Sequence, residues 1–338
     1  KAGITKETYE CKKGYLKIWQ KFIDERKLTS KPIEQIQSDV GKDFAYWMQT
    51  QEKQAYKEKP YSHGYINSAV VEVKSMYHKF AVSNRYISLQ NVPEFERLRV
   101  QPDEEHKRDI LTEEEWIKLT TYMRTNAYLK PDGRSDLERC KRKIFREYML
   151  IAYATGDRPG SLLKMKWGDV RVNPQDRPED QKVMRLLKVR SENSKNGRSR
   201  TINAPVARRL ERLRKSYEDI GMKCEPTDFL FRNPTPARRE KNIAWGQPAL
   251  TNRLKKVLEY SGVQEELDRT NRSICLYSQR HFYVTLRLRN GLNIHLLSKQ
   301  IGSSVNFIEQ NYSHIQIESN TEKITEGMAK IKTLEEQD

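Results

Sequence analysis

Two arginines, a lysine and a tyrosine lie in short segments of this chain whose residue types suit phosphodiester chemistry. Arg158 and Arg280 could hold the phosphoryl oxygens, which gather negative charge while one phosphodiester is exchanged for another. Tyr312 could attack the phosphorus, and Lys195 could give the leaving oxygen its proton. Residues of these four types could together serve the exchange of one phosphodiester for another.

The lysine and the tyrosine set further requirements. Lys195 lies in Ser194-Lys195-Asn196-Gly197, whose Asn-Gly pair predicts a hairpin turn that could reach into DNA. An ordinary phenol has a pKa of about 10, so attack by Tyr312 needs a nearby base or a cationic field. The chemistry requires no metal, and the sequence offers no metal cluster. Because a phosphotyrosine keeps the bond energy, no ATP is required either, and we expect no cofactor and no metal site. The sequence contains no G-x-x-x-x-G-K-[ST] phosphate loop.

Each candidate also has an ordinary structural interpretation. Arg158 could cap a helix or pair with Asp157 or Asp169, as arginines of a basic protein often do. Arg280 could be one of many solvated arginines. It follows Tyr277 by three residues, however, which places both on one side of a helix and near its N-terminus, where phosphate binds well.

Lys195 could belong to a simple solvated turn, and it competes with Lys188 for the role of proton donor. Tyr312 is one of 17 tyrosines, most of which we expect in the core or on the surface. His281 could support the site, but a packing role fits its position equally well.

The segments that hold these residues resemble, in order and spacing, the motifs of the tyrosine-recombinase family, to which phage integrases belong. Thr155-Gly156-Asp157-Arg158 resembles T-G-x-R, and Ser194-Lys195-Asn196-Gly197 resembles S-K-x-G. Tyr277-Ser278-Gln279-Arg280-His281 resembles H-x-x-R-H. Ile301-Gly302-Ser303-Ser304 resembles the L-G-H-[ST]-S that precedes the nucleophilic tyrosine, here Tyr312. The resemblance covers residues 109–315, while residues 1–100 share only the helical character of the family's core-binding domain.

The chain departs from the family pattern at three positions. Tyr277 stands where His is usual, Ser303 where His or Trp is usual, and Ser161 where an acidic residue commonly holds the first Arg. The two arginines, the lysine and the nucleophile are intact, so the resemblance implies an active enzyme. The three departures bear on its rate of cleavage and on the identity of its general base. It implies that the catalytic residues are Arg158, Lys195, Tyr277, Arg280, Ser303 and Tyr312. His281 and Ser161 would support them.

Most of the elements that position these residues are predicted to be helices. Apolar residues recur at helical spacing from Ile66 to Phe80, with Asn67 as a candidate cap, and Thr112 with Glu115 predicts another helix start. A helix, a turn at Thr155-Gly156 and a second helix are expected over 144–167. Two strands are expected at 183–190 and 200–204, and further helices at 206–219, 249–260, 277–290 and 294–300.

The sequence thus predicts a mainly α fold with a small antiparallel β-sheet, of the α+β class, in two domains that form a clamp on DNA. A helical core-type DNA-binding domain is expected at 1–100, a polar linker at 101–110 and a catalytic domain at 111–338. A tail helix at about 318–336 carries an apolar stripe. We expect this stripe to dock on a neighbouring subunit, although packing on its own chain fits the pattern too; its residues are Ile324, Met328, Ile331 and Leu334.

The charge of the chain points to the same kind of partner. A formal net charge of +17 attracts polyanions, with nucleic acid the first candidate and an anionic membrane surface the second. No strongly basic amphipathic helix and no apolar run of membrane-spanning length is present in the sequence. We therefore expect double-stranded DNA as the partner and no membrane association.

The resemblance implies a site-specific DNA recombinase that acts through a 3′-phosphotyrosyl intermediate. It further implies a homotetramer on two DNA sites, strand exchange through a four-way junction, and a role in integrating or excising a phage or mobile element. DNA-bending or directionality proteins would assist, in the cytoplasm and at the nucleoid. Two alternatives stay open: a cleavage–religation enzyme without exchange, like a type IB topoisomerase or a telomere resolvase, and a DNA-binding regulator that has lost catalysis.

Overall fold

A computed structural model of the chain describes residue 4 and the ranges 6–36, 38–51, 60–99, 109–129, 135–194 and 197–319, with the backbone alone at 239 and 313–319. The chain divides into two compact units, Lys1–His106 and Lys107–Asp338. No described helix is long and apolar enough to cross a membrane. The tail helix predicted at about 318–336 and its apolar stripe fall almost wholly outside the described residues and stay a prediction.

The first unit is helical, as predicted. It contains α1 (Lys6–Glu25), α2 (Val40–Gln49) and α3 (His63–Met76), and α3 continues into a π-helical turn at Tyr77–Val82. Aromatic rings fill its core; the ring of Trp19, for example, meets that of Phe44 edge-on at 4.9 Å between centroids.

The predicted cap at Asn67 is wrong. Helix α3 begins earlier, after Ser62, and Asn67 lies inside it. The Asn67 side chain instead bonds the backbone of Leu98, donating to its carbonyl oxygen at 2.8 Å and accepting from its amide at 2.8 Å. A capping residue type is therefore used here for a tertiary contact.

The second unit holds a three-stranded sheet within a shell of helices, which confirms the predicted α+β class. The strands are β1 (Val170–Arg171), β2 (Arg185–Val189) and β3 (Arg200–Ala204). The helices are α4 (Glu113–Tyr122), α5 (Asn126–Leu129), α6 (Asp136–Thr155), α7 (Pro159–Leu163), α8 (Pro178–Gln181), α9 (Ala207–Glu218), α10 (Pro236–Arg239), α11 (Gln247–Tyr260), α12 (Val263–Arg269), α13 (Ser278–Arg289), α14 (Ile294–Ile301) and α15 (Val305–Ser319).

The sheet is antiparallel in the order β1-β2-β3, with Leu187 opposite Ile202 at its buried centre. Strand β1 was not predicted, because two residues are too short to show an alternating pattern. Strands β2 and β3 pair as the predicted hairpin, but their connection at 190–199 is longer than a two-residue Asn-Gly turn and includes a 3-10 turn at Ser191–Asn193. Lys195 and Asn196 lie outside the described residues.

Helix α6 packs against α9, α13 and β3, and the turn after it leads into the candidate site. It ends at Thr155 with Gly156 in the left-handed region, at φ 62°, as the predicted turn requires. Helix α7 follows but ends at Leu163, so the predicted continuation to Trp167 is wrong. The reason is a backbone pairing with a distant segment: Trp167 N–H donates to the Asp228 carbonyl at 3.0 Å, and Leu230 N–H donates to the Met165 carbonyl at 2.8 Å.

Candidate active site

Arg280 is a deeply buried charged side chain of the site and joins three segments of the second unit. It is 2% exposed, on the first turn of α13. Its Nη1 donates to the carbonyl oxygens of Gly156, at 2.9 Å, and Ile301, at 2.8 Å. Its Nη2 donates to Ser303 Oγ at 2.9 Å. The guanidinium thereby fixes the turn after α6 against the end of α14.

Arg158 lies beside Arg280, half-buried at the start of α7. Its Nη1 donates to the Gly302 carbonyl at 3.3 Å. Burial, and then the positive charge of Arg158, lower the pKa of Arg280 to about 10, so the Arg280 guanidinium stays charged near neutral pH. Their recorded partners are carbonyl oxygens and one hydroxyl, all of them uncharged. Two neighbouring cations with neutral partners form a site suited to an anion.

Asp157 supplies a carboxylate that the sequence reasoning missed. Its side chain is fully buried and forms an ion pair with Arg200. Its Oδ2 accepts from Ser161 Oγ at 2.7 Å, and its Oδ1 accepts from the backbone N–H of Arg158 at 2.7 Å. Ser161 therefore bonds Asp157 and not the Arg158 guanidinium. The carboxylate that Ser161 bonds belongs to Asp157, which directly precedes Arg158 in the sequence and forms its ion pair with Arg200.

Arg200 is the second missed residue, and it holds the hairpin to the end of α14. It is the first residue of β3, and its Nε donates to the Gln300 carbonyl at 3.4 Å. Its guanidinium lies against Gly302, where a side-chain Cβ would come within 2.9 Å of Nη1. The amide of Gln300 adds a bond at 2.6 Å to the Asn203 carbonyl. The strand that follows Lys195 is thus anchored beside the two arginines.

Tyr277 lines an open cleft of about 700 Å3 at the same site. It directly precedes α13 and is half-buried. The cleft is bordered by Arg158, Ser161 and Ser194, the last of these directly before Lys195. The cleft therefore connects the anion site with the base of the loop that carries the predicted acid.

Tyr312 lies on α15, which packs against α13. It is 6% exposed, among the apolar residues of a small core that includes Val284, Leu297 and Ile308. Its hydroxyl is hydrogen-bonded to Nδ1 of His281, and the two rings lie 5.7 Å apart between centroids. Because His281 directly follows Arg280 on α13, the candidate nucleophile contacts the helix that carries the buried arginine.

The structure thus brings the sequence-predicted residues together, with one exception. Hydrogen bonds connect Ser303 with Arg280 directly, and both arginines with the Ile301–Gly302 backbone, while ring contacts connect Tyr277, His281 and Tyr312. Ser161 is connected to Arg158 through Asp157, whose carboxylate accepts from the Ser161 hydroxyl and from the Arg158 backbone N–H. Lys195 lies outside the described residues, so its place in the site stays a prediction, as do the chemical roles of the others.

No protein-family model matches the chain, and no curated protein matches it by sequence. Solved structures do. A Tn1549 transposon integrase in complex with transposon right-end DNA has 15% identity, a TM-score of 0.61, and coverage of 97% of this chain and 95% of that chain. A lambda integrase dimer bound to a COC′ core site has 17% identity, a TM-score of 0.59, and coverage of 92% and 89%. XerH site-specific recombinase bound to difH substrate has 14% identity, a TM-score of 0.59, and coverage of 88% and 74%. The chain has the fold of these DNA-bound integrases and recombinases.

Proposed function

We propose that the chain is a tyrosine-type site-specific DNA recombinase that cleaves and rejoins DNA through a 3′-phosphotyrosyl intermediate. The observation that carries the proposal is that two neighbouring guanidiniums with neutral hydrogen-bond partners lie in one unit with a tyrosine hydroxyl on α15, which packs against the helix of Arg280. Such an arrangement suits a reaction in which an anionic phosphoryl group is held while a phenol attacks it.

Each side chain then has one task in the cleavage step. Arg158 and Arg280 bind the non-bridging oxygens of the scissile phosphate and stabilise the charge that develops there. Ser303 Oγ accepts from Arg280, which leaves its own proton available for a phosphoryl oxygen. Tyr312 forms the new bond to phosphorus, and Lys195 protonates the leaving 5′ oxygen. Attack by the 5′ hydroxyl of another strand reverses the step and exchanges the strands.

The substrate that suits this site is duplex DNA with specific recombination sites. The net charge of +17 favours binding to a polyanion, and the proteins of the same fold named above are bound to DNA in their structures. Lambda integrase has also been solved as a tetramer bound to a Holliday junction, a structure with which this chain shares the fold. We infer a homotetramer on DNA that moves a phage or mobile element. Accessory DNA-bending or directionality proteins would assist it in a cytoplasm.

The proposal is tested with a library of nicked suicide duplexes whose core is randomised. Wild type is expected to form a covalent protein–DNA complex that survives detergent, and sequencing the captured DNA gives the site. Tyr312→Phe should form none, whereas Tyr260→Phe, which removes an exposed hydroxyl of the same unit, should capture DNA like wild type.

Two further outcomes separate the alternatives. Failure of wild type to capture any duplex, with binding retained, would overturn the proposal in favour of a DNA-binding regulator. Capture followed only by religation of the same strands, when two intact duplexes of the selected site are supplied, would favour a cleavage–religation enzyme without exchange.

A further inference from the structure

The imidazole that contacts the candidate nucleophile is not at either position where the resemblance leads one to expect it. Tyr277 and Ser303 occupy those two positions, and neither side chain is a base near neutral pH. His281, next to Arg280, is the residue whose ring nitrogen bonds the Tyr312 hydroxyl. The attacking phenol therefore meets an imidazole from a different place in the sequence.

We infer that His281 is the general base of cleavage and takes the Tyr312 proton on Nδ1. The inference rests on the proposed function, because it names the proton acceptor for that same reaction. It gives His281 a direct role in the chemistry, whereas the sequence was equally consistent with a supporting role and with a packing role for this residue.

The geometry of the contact suits proton transfer. In the tautomer that carries its proton on Nε2, Nδ1 has a lone pair and accepts from the Tyr312 hydroxyl. The imidazole also lies 5.2 Å from the ring of Tyr277, measured between centroids, so an aromatic ring directly before α13 and one on α15 both border it. A general base must lie within hydrogen-bond reach of the proton that it removes, and His281 meets this condition.

The cleavage step balances with this assignment. The Tyr312 O–H bond breaks and its proton moves to Nδ1 of His281 as the phenolic oxygen bonds to phosphorus. The bond from phosphorus to the 5′ oxygen breaks, and that oxygen takes a proton from Lys195. On rejoining, a 5′ hydroxyl attacks the phosphotyrosine and gives its proton to Lys195, and the departing Tyr312 oxygen recovers its proton from His281.

A substitution that keeps the hydrogen bond but removes the base separates catalysis from positioning. The amide of His281→Asn can place an acceptor near the Nδ1 position, yet it does not take up a proton near neutral pH. Single-turnover cleavage of the selected suicide duplex should slow by about 10²-fold or more, while DNA binding stays unchanged. His295→Asn, the same change at an exposed histidine of α14, serves as the control and should cleave like wild type.

A phenol of lower pKa at position 312 distinguishes a general base from a residue with a structural role. It should change the cleavage deficit of His281→Asn only if His281 is the base. Site-specific replacement of Tyr312 by trifluorotyrosine lowers the pKa of the phenol, so its ionisation depends less on a base. The deficit of His281→Asn should then shrink by about tenfold or more relative to the deficit measured with unmodified tyrosine. An unchanged deficit would overturn the assignment, as would a His281→Asn variant that cleaves at the wild-type rate.

A second variant covers the case in which His281→Asn does not fold. His281→Ala leaves space for a free imidazole, which should restore cleavage in proportion to its concentration, and absence of rescue would count against the base role. Wild-type cleavage is the reference for all of these measurements. A wild type that forms no covalent complex would overturn the proposed function itself, so the two failures are distinguishable.

Discussion

Removing the charge of Asp157 should destabilise the second unit more than any surface substitution. The Asp157 side chain is fully buried, and that of its partner Arg200 is only 11% exposed. Loss of one partner from a buried ion pair leaves an uncompensated charge and typically costs about 3–5 kcal/mol. Because Arg200 retains some contact with solvent and a bond to the Gln300 carbonyl, we expect Asp157→Asn to cost about 3 kcal/mol, at the low end of this range.

The stability of a double variant shows whether the cost comes from the stranded charge. Arg200→Met removes that charge, so Asp157→Asn with Arg200→Met should lose less stability than the two single losses added together, with a coupling free energy of about 2 kcal/mol. The assay is urea unfolding followed by circular dichroism. The control is Asp219→Asn, which breaks an ion pair with Lys143 in which both side chains are about a third exposed, and should cost no more than about 1 kcal/mol.

Asp157→Asn should also impair cleavage, because Arg200 anchors β3 beside Gly302 and Asp157 holds Arg200. A displacement of about 1 Å in a catalytic group can cost on the order of 10²-fold in rate, and we expect a loss of that order for Asp157→Asn. Two results would refute the idea that this ion pair organises the site. In one, Asp157→Asn lowers the free energy of unfolding no more than Asp219→Asn does. In the other, the loss in the double variant equals the sum of the losses in the two single variants.

Three further predictions concern the groups that meet the phosphate. Arg158→Ala and Arg280→Ala should each lower single-turnover cleavage by about 10²–10³-fold or more with smaller effects on DNA binding; a loss below tenfold would contradict the anion site. Ser303→Ala should cost about 1.5–3 kcal/mol of transition-state stabilisation, more than the loss of a neutral hydrogen bond, because the Ser303 oxygen accepts from the charged Arg280. Ser303→His should keep activity, and a Ser303→His variant without cleavage activity would contradict the alignment of this segment with the family motif. Lys195→Ala should be rescued by a substrate with a 5′-bridging sulfur, whose leaving group needs no proton, and absence of rescue would remove Lys195 as the acid.

Features encoded by neighbouring residues could be predicted from the sequence. The capping box of α4 is one: Thr112 Oγ1 accepts from the Glu115 amide, and the Glu115 carboxylate accepts from the Thr112 amide, within three residues of chain. The turn at Gly156 is another, because its positive φ suits glycine. The segment around each candidate site residue is of the same local kind, which is why the residues of the site could be named before the fold was known.

Features that depend on distant contacts could not be predicted. Helix α7 ends at Leu163 because residues after it pair with the backbone near Asp228, more than sixty positions away in the sequence. The bond between Asp157 and Arg200 joins positions 43 residues apart, and each residue alone resembles an ordinary charged residue. The contact between His281 and Tyr312 is of this kind too, since only the packing of α13 on α15 brings them together.

The most direct test of the account is to locate the covalent bond on the protein. Tyr277 and Tyr312 both lie beside His281, so a covalent complex alone does not say which of them attacked. Wild type trapped on the selected suicide duplex is digested with nuclease and protease, and tandem mass spectrometry locates the attached nucleotide. The account predicts a single modified residue, Tyr312, linked to a 3′ phosphate. A nucleotide on Tyr277 or on any other residue, or a link through a 5′ phosphate, would contradict it.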